Sequence, residues 1–214
     1  MKSLQEEVLK LQLRKMELKV AEESRSTFLT FVKKVWPEFI AGSHHKIIAK
    51  KFEDVSRGKI KRIIVNMPPR HTKSEFASHL FPAWMLGNNP RLKIIQTTHT
   101  AELSDTFGRK VRNLFAQDEF KEVFPKVSLS EDSKAAGRFN TNKGGEYFGA
   151  GVGGAITGRG ADLLIIDDPH SEQDALYPSK LDKAYEWYTS GPRQRLQPGG
   201  TIVVVMTRWS EIDL

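Results

Sequence analysis

Four short apolar runs follow residue 60 of the chain, and helical patterns separate them. The runs lie at residues 62–66, 92–97, 161–167 and 201–207. They are rich in isoleucine and valine and do not alternate with polar residues, which is typical of strands buried on both faces of a parallel sheet. The helical patterns between them lie at residues 74–86, 101–115 and 179–189. This alternation predicts an α/β fold, a mostly parallel sheet with helices on both faces.

The first part of the chain has a different pattern, in which apolar residues recur at helical spacing among lysines and glutamates. The apolar positions are Leu4, Val8, Leu11 and Leu18. They predict an amphipathic helix with a narrow apolar stripe. We interpret residues 1–26 as a helical lead to a single domain of residues 27–214. Packing of the lead on its own domain is the favoured interpretation, and contact with another subunit or partner is the alternative.

Two further segments carry local signals. Residues 27–52 are helical with a break around Pro37 and Gly42, and Ser43 is expected to cap the helix that follows. A glycine-rich section between Arg138 and Gly160 predicts a hairpin or an irregular strand.

Charge and cysteine content limit the function classes. Lys and Arg number 33 against 26 Asp and Glu, a formal net charge of +7, and this moderate excess is compatible with a polyanionic partner such as nucleic acid. There is no cysteine, which excludes a disulfide scaffold and a Cys-based zinc site. No apolar run approaches the roughly 20 residues that span a bilayer, and the start has no signal-peptide pattern. We therefore expect a soluble intracellular protein.

The first strand ends in a sequence that can bind phosphate. Residues 66–75 read NMPPRHTKSE and lead into a helix. Lys73 and Ser74 at this junction match the lysine and the magnesium-binding hydroxyl of a phosphate-binding loop. Met67 and Thr72 occupy the two glycine positions of the standard G-x-x-x-x-G-K-[ST] pattern. Because two prolines in the loop lack an N–H, we expect the phosphate-binding amides to come from residues 70–74.

Two more predicted strands end in polar residues. The third ends in Asp167 and Asp168, and an apolar strand that carries carboxylates at its end can hold a nucleotide-bound magnesium ion and activate water. The fourth ends in Thr207 and Arg208, a hydroxyl and a guanidinium that could sense a γ-phosphate. Because ligands bind at the carboxyl ends of strands in open α/β sheets, we expect these groups to lie together.

In this order, the elements resemble the large terminase subunits of tailed phages, the ATP-driven motors that package DNA into procapsids. The matching segments are residues 61–75, 81–87, 157–162, 164–169 and 207–209, and the resemblance spans roughly residues 28–214. It implies a P-loop NTPase fold of the ASCE, RecA-like kind, with ATP and Mg²⁺ as cofactors. It also implies double-stranded DNA, a homo-oligomeric ring, the portal protein and the small terminase subunit as partners, in the host cell cytoplasm.

The resemblance assigns roles around the phosphate. Lys73 and Ser74 match the phosphate-binding lysine and the magnesium-binding hydroxyl, and Arg70 matches the arginine that terminases carry in this loop. His71 and Thr72 complete the ATP-binding loop. Asp167 matches the magnesium-site carboxylate.

Further roles concern water activation, coupling and the neighbouring subunit. The general base of such motors is usually a glutamate after the magnesium-site aspartate; here Asp168 stands at that position, with Glu172 as the alternative. Thr207 matches the coupling motif, and Arg159 resembles an arginine finger that completes the site of the next subunit. His44 or His45 stands about where related motors place an adenine-reading glutamine.

Several functional questions stay open at this level. Family members carry a second, RNase H-like nuclease domain, for which we expect no counterpart within these residues, so the chain is interpreted as an ATPase domain. A superfamily-2-like helicase module and a non-hydrolysing nucleic-acid-binding or capsid-docking module are the alternatives. Basic residues that could contact DNA phosphates are Lys59, Lys61, Arg109, Lys110 and Arg112.

Overall fold

The computed structural model describes residues 2–214, except for the side chains of residues 2, 3 and 134; residue 1 of the predicted lead lies outside the described residues. The α-helices are α1 Lys2–Ser26, α2 Phe28–Val35, α3 Ser43–Ser56, α4 Phe81–Asn88, α5 Ala101–Leu114, α6 Asp118–Val123 and α7 Pro178–Ser190. The strands are β1 Arg62–Asn66, β2 Lys93–Thr98, β3 Leu129–Lys134, β4 Arg138–Thr141, β5 Glu146–Gly151, β6 Ala161–Asp167 and β7 Leu196–Met206. A π-helical segment, Glu75–Leu80, runs directly into α4, and 3₁₀ turns cover Asp174–Leu176 and Pro192–Arg195.

The strands form one seven-stranded sheet in the order β1-β7-β6-β2-β5-β4-β3. The five strands from β1 to β5 in this order are parallel, and β4 and β3 are antiparallel additions at one edge. The four apolar runs are β1, β2, β6 and β7, and the glycine-rich section supplies the antiparallel hairpin β4–β5. The predicted α/β class with a mostly parallel sheet is confirmed. β3 is an addition that the sequence did not predict, because its residues are mostly polar and charged.

Burial on both faces of the sheet explains why the apolar runs do not alternate. Leu163 and Ile165 of β6 belong to the core on one face, whereas Leu164 and Ile166 belong to the core on the other. The first face packs against α2 to α6, and the second packs against Tyr188 of α7. Helices therefore cover both faces, as predicted, but most of the helical mass lies on one of them.

An aromatic cluster joins the N-terminal helices to the segment that follows the predicted phosphate loop. Phe28 of α2 is fully buried, and its ring centroid lies 5.5 Å from that of Phe76 and 5.8 Å from that of Phe52. Phe76 lies two residues after Ser74, at the start of the π-helical segment. Packing of large rings at these distances stabilises the fold and fixes the orientation of the segment that carries Lys73 and Ser74.

The N-terminal part differs from two expectations. Gly42, not Ser43, is the N-cap of α3, because the side chain of His45 turns back and its Nδ1 accepts the Gly42 N–H at 2.9 Å. The interpretation that the lead packs on its own domain is wrong for residues 4–20, all of which are exposed, whereas Ala21 and Ser24 are buried. Within residues 2–214, no helix is long and apolar enough to cross a membrane.

Candidate functional site

The sheet brings the three polar strand ends together. Register pairs Asn66 at the end of β1 with Met206 at the end of β7, and pairs Asp167 at the end of β6 with Val205 of β7. The residues that follow these ends, 67–74, 168 and 207, therefore meet at one edge of the sheet, as expected for the carboxyl ends of parallel strands.

The loop after β1 has an unusual backbone. Arg70 and Thr72 have φ angles of +64° and +61°, which places both in the left-handed region that costs a non-glycine residue roughly 1 to 2 kcal/mol. Thr72 stands at the second glycine position of the standard motif. Within the described residues, the backbone N–H groups of residues 70–72 donate no hydrogen bond. Free N–H groups in a loop with left-handed residues form a concavity suited to an anion.

Neighbouring groups hold Thr72 in this conformation. His45 Nδ1 accepts the Gly42 N–H, so Nε2 carries the ring proton and donates to Thr72 Oγ1 at 2.6 Å. Thr72 Oγ1 in turn donates to the His71 carbonyl at 2.6 Å. Burial, together with the charges of His44 and His71, lowers the pKa of His45, which favours the neutral tautomer that this hydrogen-bond chain requires. Both ring nitrogens of His45 are thus engaged within the protein.

We expect Thr72→Gly to have little effect on stability and Thr72→Val to lower it. Glycine relieves the left-handed strain while losing the hydroxyl, so the thermal midpoint should change little and ATP affinity should stay within about threefold. Valine keeps the β-branched shape and therefore the backbone strain, but its methyl group replaces the hydroxyl that bonds to His45, and we expect a loss of about 2 kcal/mol in unfolding free energy. Thermal unfolding and ATP titration of the two variants check this. Equal damage by both would show that the hydroxyl, not the backbone conformation, governs the loop.

Asp167 is the buried carboxylate of the site, with 1% of its surface exposed. Ser74 Oγ donates to one of its oxygens at 3.0 Å and Ser78 Oγ to the other at 2.6 Å. Burial raises its pKa to about 7, with a further contribution from the charge of Asp168, while the two serines and Lys73 oppose the increase. The free protein therefore holds Asp167 at the border between its neutral and ionised forms at physiological pH.

Ser78 is a site residue that the sequence reasoning missed. It lies four residues after Ser74, a spacing that places two side chains on one face of a helix, and this spacing was the available signal. The prediction of a regular helix from residue 74 also missed the π-helical turn at Glu75–Leu80. Short π-helical turns frequently occur at functional sites; here the turn begins directly after Ser74 and contains Ser78.

Asp168 connects the loop lysine to the end of β7. Lys73 Nζ lies 2.7 Å from Asp168 Oδ2, and the Thr207 N–H donates to Asp168 Oδ1 at 2.8 Å. Thr207 Oγ1 also donates to the Met67 carbonyl, at 3.3 Å, at the start of the loop. Asp168 itself has a φ of +43°, a conformation that aspartate tolerates better than most residues. One carboxylate thus contacts both the predicted phosphate-binding lysine and the predicted coupling residue.

A second ion-pair cluster flanks the loop on the side of α5. Glu75 accepts from Lys110 and, at 3.0 Å, from His79 Nδ1. Burial opposes ionisation of Glu75, but the hydrogen bonds and charges of His79 and Lys110 outweigh it and hold the pKa at about 2. Lys110, a candidate DNA-contacting residue, is therefore engaged in this cluster.

Arg159 does not lie at this site within the chain, and Glu172 has no hydrogen bond or ion pair to the site among the described residues. Arg159 lies two residues before β6, at the amino ends of the parallel strands, and β6 alone extends about 20 Å from Ala161 to Asp167. Its guanidinium pairs with Glu146 and stacks over the Phe148 ring, 3.9 Å from the centroid. Glu172 is exposed in the turn that follows β6. Their predicted roles as finger and alternative base stay predictions.

The other predicted loop residues lie at the surface or serve the local structure. Arg70 and His71 are exposed, and His71 Nδ1 donates to the Pro69 carbonyl at 2.9 Å. His170 is buried beside the site, where its Nε2 accepts the Leu214 N–H at 3.1 Å. Burial lowers the pKa of His170.

The fold resembles that of the HK97 bacteriophage large terminase. Superposition on the crystal structure of that protein gives a TM-score of 0.60 over 86% of this chain, at 13% sequence identity. The chain spans 38% of the length of that terminase. No family model matches the chain, and no curated protein matches it in sequence. At this identity the likeness concerns the fold, and it agrees with the fold class that the sequence motifs implied.

The residues at the strand ends fit a magnesium nucleotide in their chemistry. Within the described residues, no group of three carboxylates or imidazoles could hold a metal ion without other ligands. A single buried carboxylate with a neighbouring hydroxyl suits Mg²⁺, which usually keeps several waters and takes further oxygens from phosphates. The free amides of residues 70–72 and the charge of Lys73 are groups of the kind that bind phosphate.

Proposed function

We propose that the chain is an ATPase unit of a DNA-packaging motor, hydrolysing ATP to move double-stranded DNA into a procapsid. The single observation that carries this proposal is the meeting of Lys73, Ser74, Asp167 and Asp168 at one sheet edge, in a fold like that of a phage large terminase. Nucleotide phosphate would occupy the loop of residues 70–74, and Mg²⁺ would be held by Ser74 and Asp167. The ion would supply charge neutralisation on the transferred phosphoryl group.

In this proposal, nucleotide binding rearranges the groups around Asp168. Without nucleotide, Lys73 neutralises Asp168, and both Asp168 oxygens are engaged. A γ-phosphate competes for Lys73 and leaves one Asp168 oxygen free to accept a proton from water, the task of a general base. The Thr207 N–H bond to Asp168 then offers a direct route by which the nucleotide state reaches the end of β7.

The proposal places adenine beside His44. His45 has both ring nitrogens engaged, whereas His44 Nε2 is buried and finds no hydrogen-bond partner among the residues that the structure describes. His44 lines a cavity of about 570 Å³ along the free edge of β1, which also includes Met67 at the start of the loop. Seven of its eleven lining residues are apolar, five of them isoleucines. A largely apolar cavity of this size with a polar group can accept a base.

ATP hydrolysis at increasing protein concentration tests the proposal and its assembly. In a ring, Arg159 of one subunit would offset the phosphoryl charge in the next, so we expect the rate per subunit to increase with concentration. Arg159→Ala should remove that increase and lower the rate at high concentration at least about a hundredfold. Release of Arg159 from Glu146 would accompany the contact.

Arg138→Ala is the matched control, because Arg138 Nε lies 3.6 Å from the same Glu146 carboxylate. Its removal disturbs Glu146 without removing the predicted finger and should leave the concentration dependence intact. A rate that does not depend on concentration and survives Arg159→Ala would eliminate the finger. If the chain neither binds nor hydrolyses ATP, a non-hydrolysing docking module becomes the better explanation.

The remaining proposed partners follow from the motor. DNA would be held through its phosphates, with little dependence on sequence and strong dependence on salt. The portal protein and the small terminase subunit would bind the assembled motor in the host cell cytoplasm. Translocation of duplex DNA without strand separation would distinguish this function from that of a helicase module.

A further inference from the structure

Helix α1 exposes an unusual amount of apolar surface. Its apolar side chains from residue 4 to residue 20 are between 39% and 67% exposed. They form two stripes, a first stripe of Leu4, Val8, Leu11 and Leu18 and a second stripe of Leu9, Leu13, Met16 and Val20. At 100° per residue, the stripes lie about 150° apart. The two stripes are therefore separate surfaces, and an exposed apolar stripe that continues along a helix marks an interaction site.

The body of the protein contacts α1 mainly at its C-terminal end. Ala21 and Ser24 are buried, and Trp84 Nε1 donates to the Ser24 carbonyl at 2.8 Å. Arg25 Nε donates to the Val123 carbonyl at 2.7 Å. Residues 4–20 thus form an arm whose two apolar stripes are largely exposed, with only Leu18 lining a cavity beside α6 in the described part of the chain. A helix of this length is marginal in water without packing.

The polar residues of the arm indicate which partner fits. Glu6, Glu7 and Glu17 are interspersed with lysines and arginine along the helix. A helix that lies on an anionic membrane or along nucleic acid carries a predominantly basic polar face. Mixed charge around apolar stripes is instead the pattern of a helix that pairs with another helix.

We propose that α1 pairs in antiparallel orientation with α1 of a second copy of this chain, through the first stripe. The spacing of the first stripe is that of a heptad repeat, with seam positions at residues 4, 8, 11, 15 and 18. Lys15 is the polar residue in this otherwise apolar seam. In a parallel pair, Lys15 would face the Lys15 of the other copy, and Arg14 would lie beside Lys19, so like charges would repel.

An antiparallel pair resolves both conflicts. Val8 lies opposite Leu11 of the other copy, and the methylenes of Lys15 cover Leu4 while the ammonium reaches solvent. Glu7 of each copy lies beside Arg14 of the other, which gives two symmetric ion pairs. In the described part of its own chain, Arg14 pairs with the exposed Glu17 at 3.3 Å, and exposed pairs of this kind contribute little. The two bodies, which begin near Ala21, then lie at opposite ends of the paired arms.

This contact is isologous, with the same surface used by both copies, and it differs from the head-to-tail contact that a ring requires. It does not rest on the proposed function, and its test needs no nucleotide. The molar mass of the full chain in solution, measured by light scattering over a wide concentration range, should increase towards that of a dimer. Leu11→Glu should weaken the dimer at least about a hundredfold, because it places a charge in the apolar seam.

Leu13→Glu in the second stripe is the matched control and should leave the dimer intact. Glu7→Arg and Arg14→Glu should each weaken the dimer by about tenfold, and the double charge exchange should restore it. Circular dichroism of each variant verifies that the fold persists. A chain that stays monomeric at all concentrations, or that responds to Leu13→Glu and not to Leu11→Glu, would overturn the proposal.

Disulfide cross-linking tests the orientation of the two helices. Because the chain has no cysteine, each introduced cysteine can react only with another introduced cysteine. A mixture of Glu7→Cys and Arg14→Cys chains should form a mixed disulfide dimer under mild oxidation, whereas Lys15→Cys alone should form little. Efficient cross-linking of Lys15→Cys without the mixed product would establish a parallel pair and refute the antiparallel one.

Discussion

Replacing Lys73 with methionine is expected to lower ATP turnover at least about a hundredfold. Lys73 is buried, and its ammonium group lies 2.7 Å from Asp168 Oδ2 at the end of the loop of residues 70–74. Methionine keeps the unbranched stem and removes the charge, so the packing around the loop is preserved. Asp168 loses its charged partner but keeps the Thr207 N–H and is partly exposed, so the thermal midpoint should change by only a few degrees. Steady-state hydrolysis and nucleotide titration measure the two effects separately.

Lys110→Met is the control for this substitution, because it removes the same charge from the neighbouring ion pair with Glu75. Glu75 keeps its hydrogen bond from His79, and turnover should stay within about twofold of the parent, as expected for a partly exposed ion pair. If Lys73→Met retained full turnover, the loop would not be the phosphate site, and the proposed ATPase would lose its main support.

Asp167→Asn is expected to abolish magnesium-dependent turnover and yet to stabilise the metal-free protein above neutral pH. The pKa of Asp167 is about 7 in the folded protein against 3.8 in the unfolded chain, chiefly because the carboxylate is buried. Between these values the folded state binds the proton more tightly, so the unfolding free energy of the parent decreases as the pH increases from about 4 to 7. The full difference corresponds to about 4 kcal/mol.

Asparagine removes this penalty because its side chain is neutral at every pH in that window. With a chelator present, the variant should therefore be more stable than the parent at pH 8 by about 2 to 4 kcal/mol, and the two should converge as the pH falls towards 4. Denaturant unfolding at several pH values measures this. Added Mg²⁺ with nucleotide should stabilise the parent and leave the variant unchanged.

Asp162→Asn, in the same strand, is the matched control for the pH dependence. Asp162 is half-buried at the other end of β6, where it accepts the Lys93 N–H at 2.8 Å. Its replacement leaves Asp167 in place, so the pH dependence that Asp167 causes should persist in this variant. A parallel pH dependence in Asp167→Asn and the parent would contradict the raised pKa and the role of burial in this site.

The polar residues at the strand ends are the part of the site that the sequence predicts. Lys73, Ser74, Asp167 and Thr207 were singled out from short motifs that follow apolar runs, and the structure does place them at one sheet edge. The physical reason is general, since parallel strands present their carboxyl ends at the same edge. Their placement was therefore predictable, whereas their catalytic roles stay predictions.

The motifs did not predict which groups these residues bind within the protein. The bond between His45 and Thr72 spans 27 residues and depends on the capping of α3 by His45. Ser78 belongs to the site because the π-helical turn brings its hydroxyl within hydrogen-bond distance of the buried Asp167 carboxylate. The left-handed backbone of Thr72 was not predicted either. Threonine by itself disfavours this conformation, and hydrogen bonds from the surrounding structure hold it in place.

The sequence by itself determined the α/β class, the four central strands and the strand ends that carry chemistry, because continuous β-branched runs have few other stable arrangements than a buried parallel sheet. Only the tertiary structure decided which groups pair and which carboxylate is buried enough to change its pKa. It also decided that the apolar stripes of α1 are largely exposed to solvent. These properties depend on distance and on solvent exclusion between residues far apart in the chain. A pattern along the chain shows which side chains are apolar or charged, but only the packed fold determines what surrounds them.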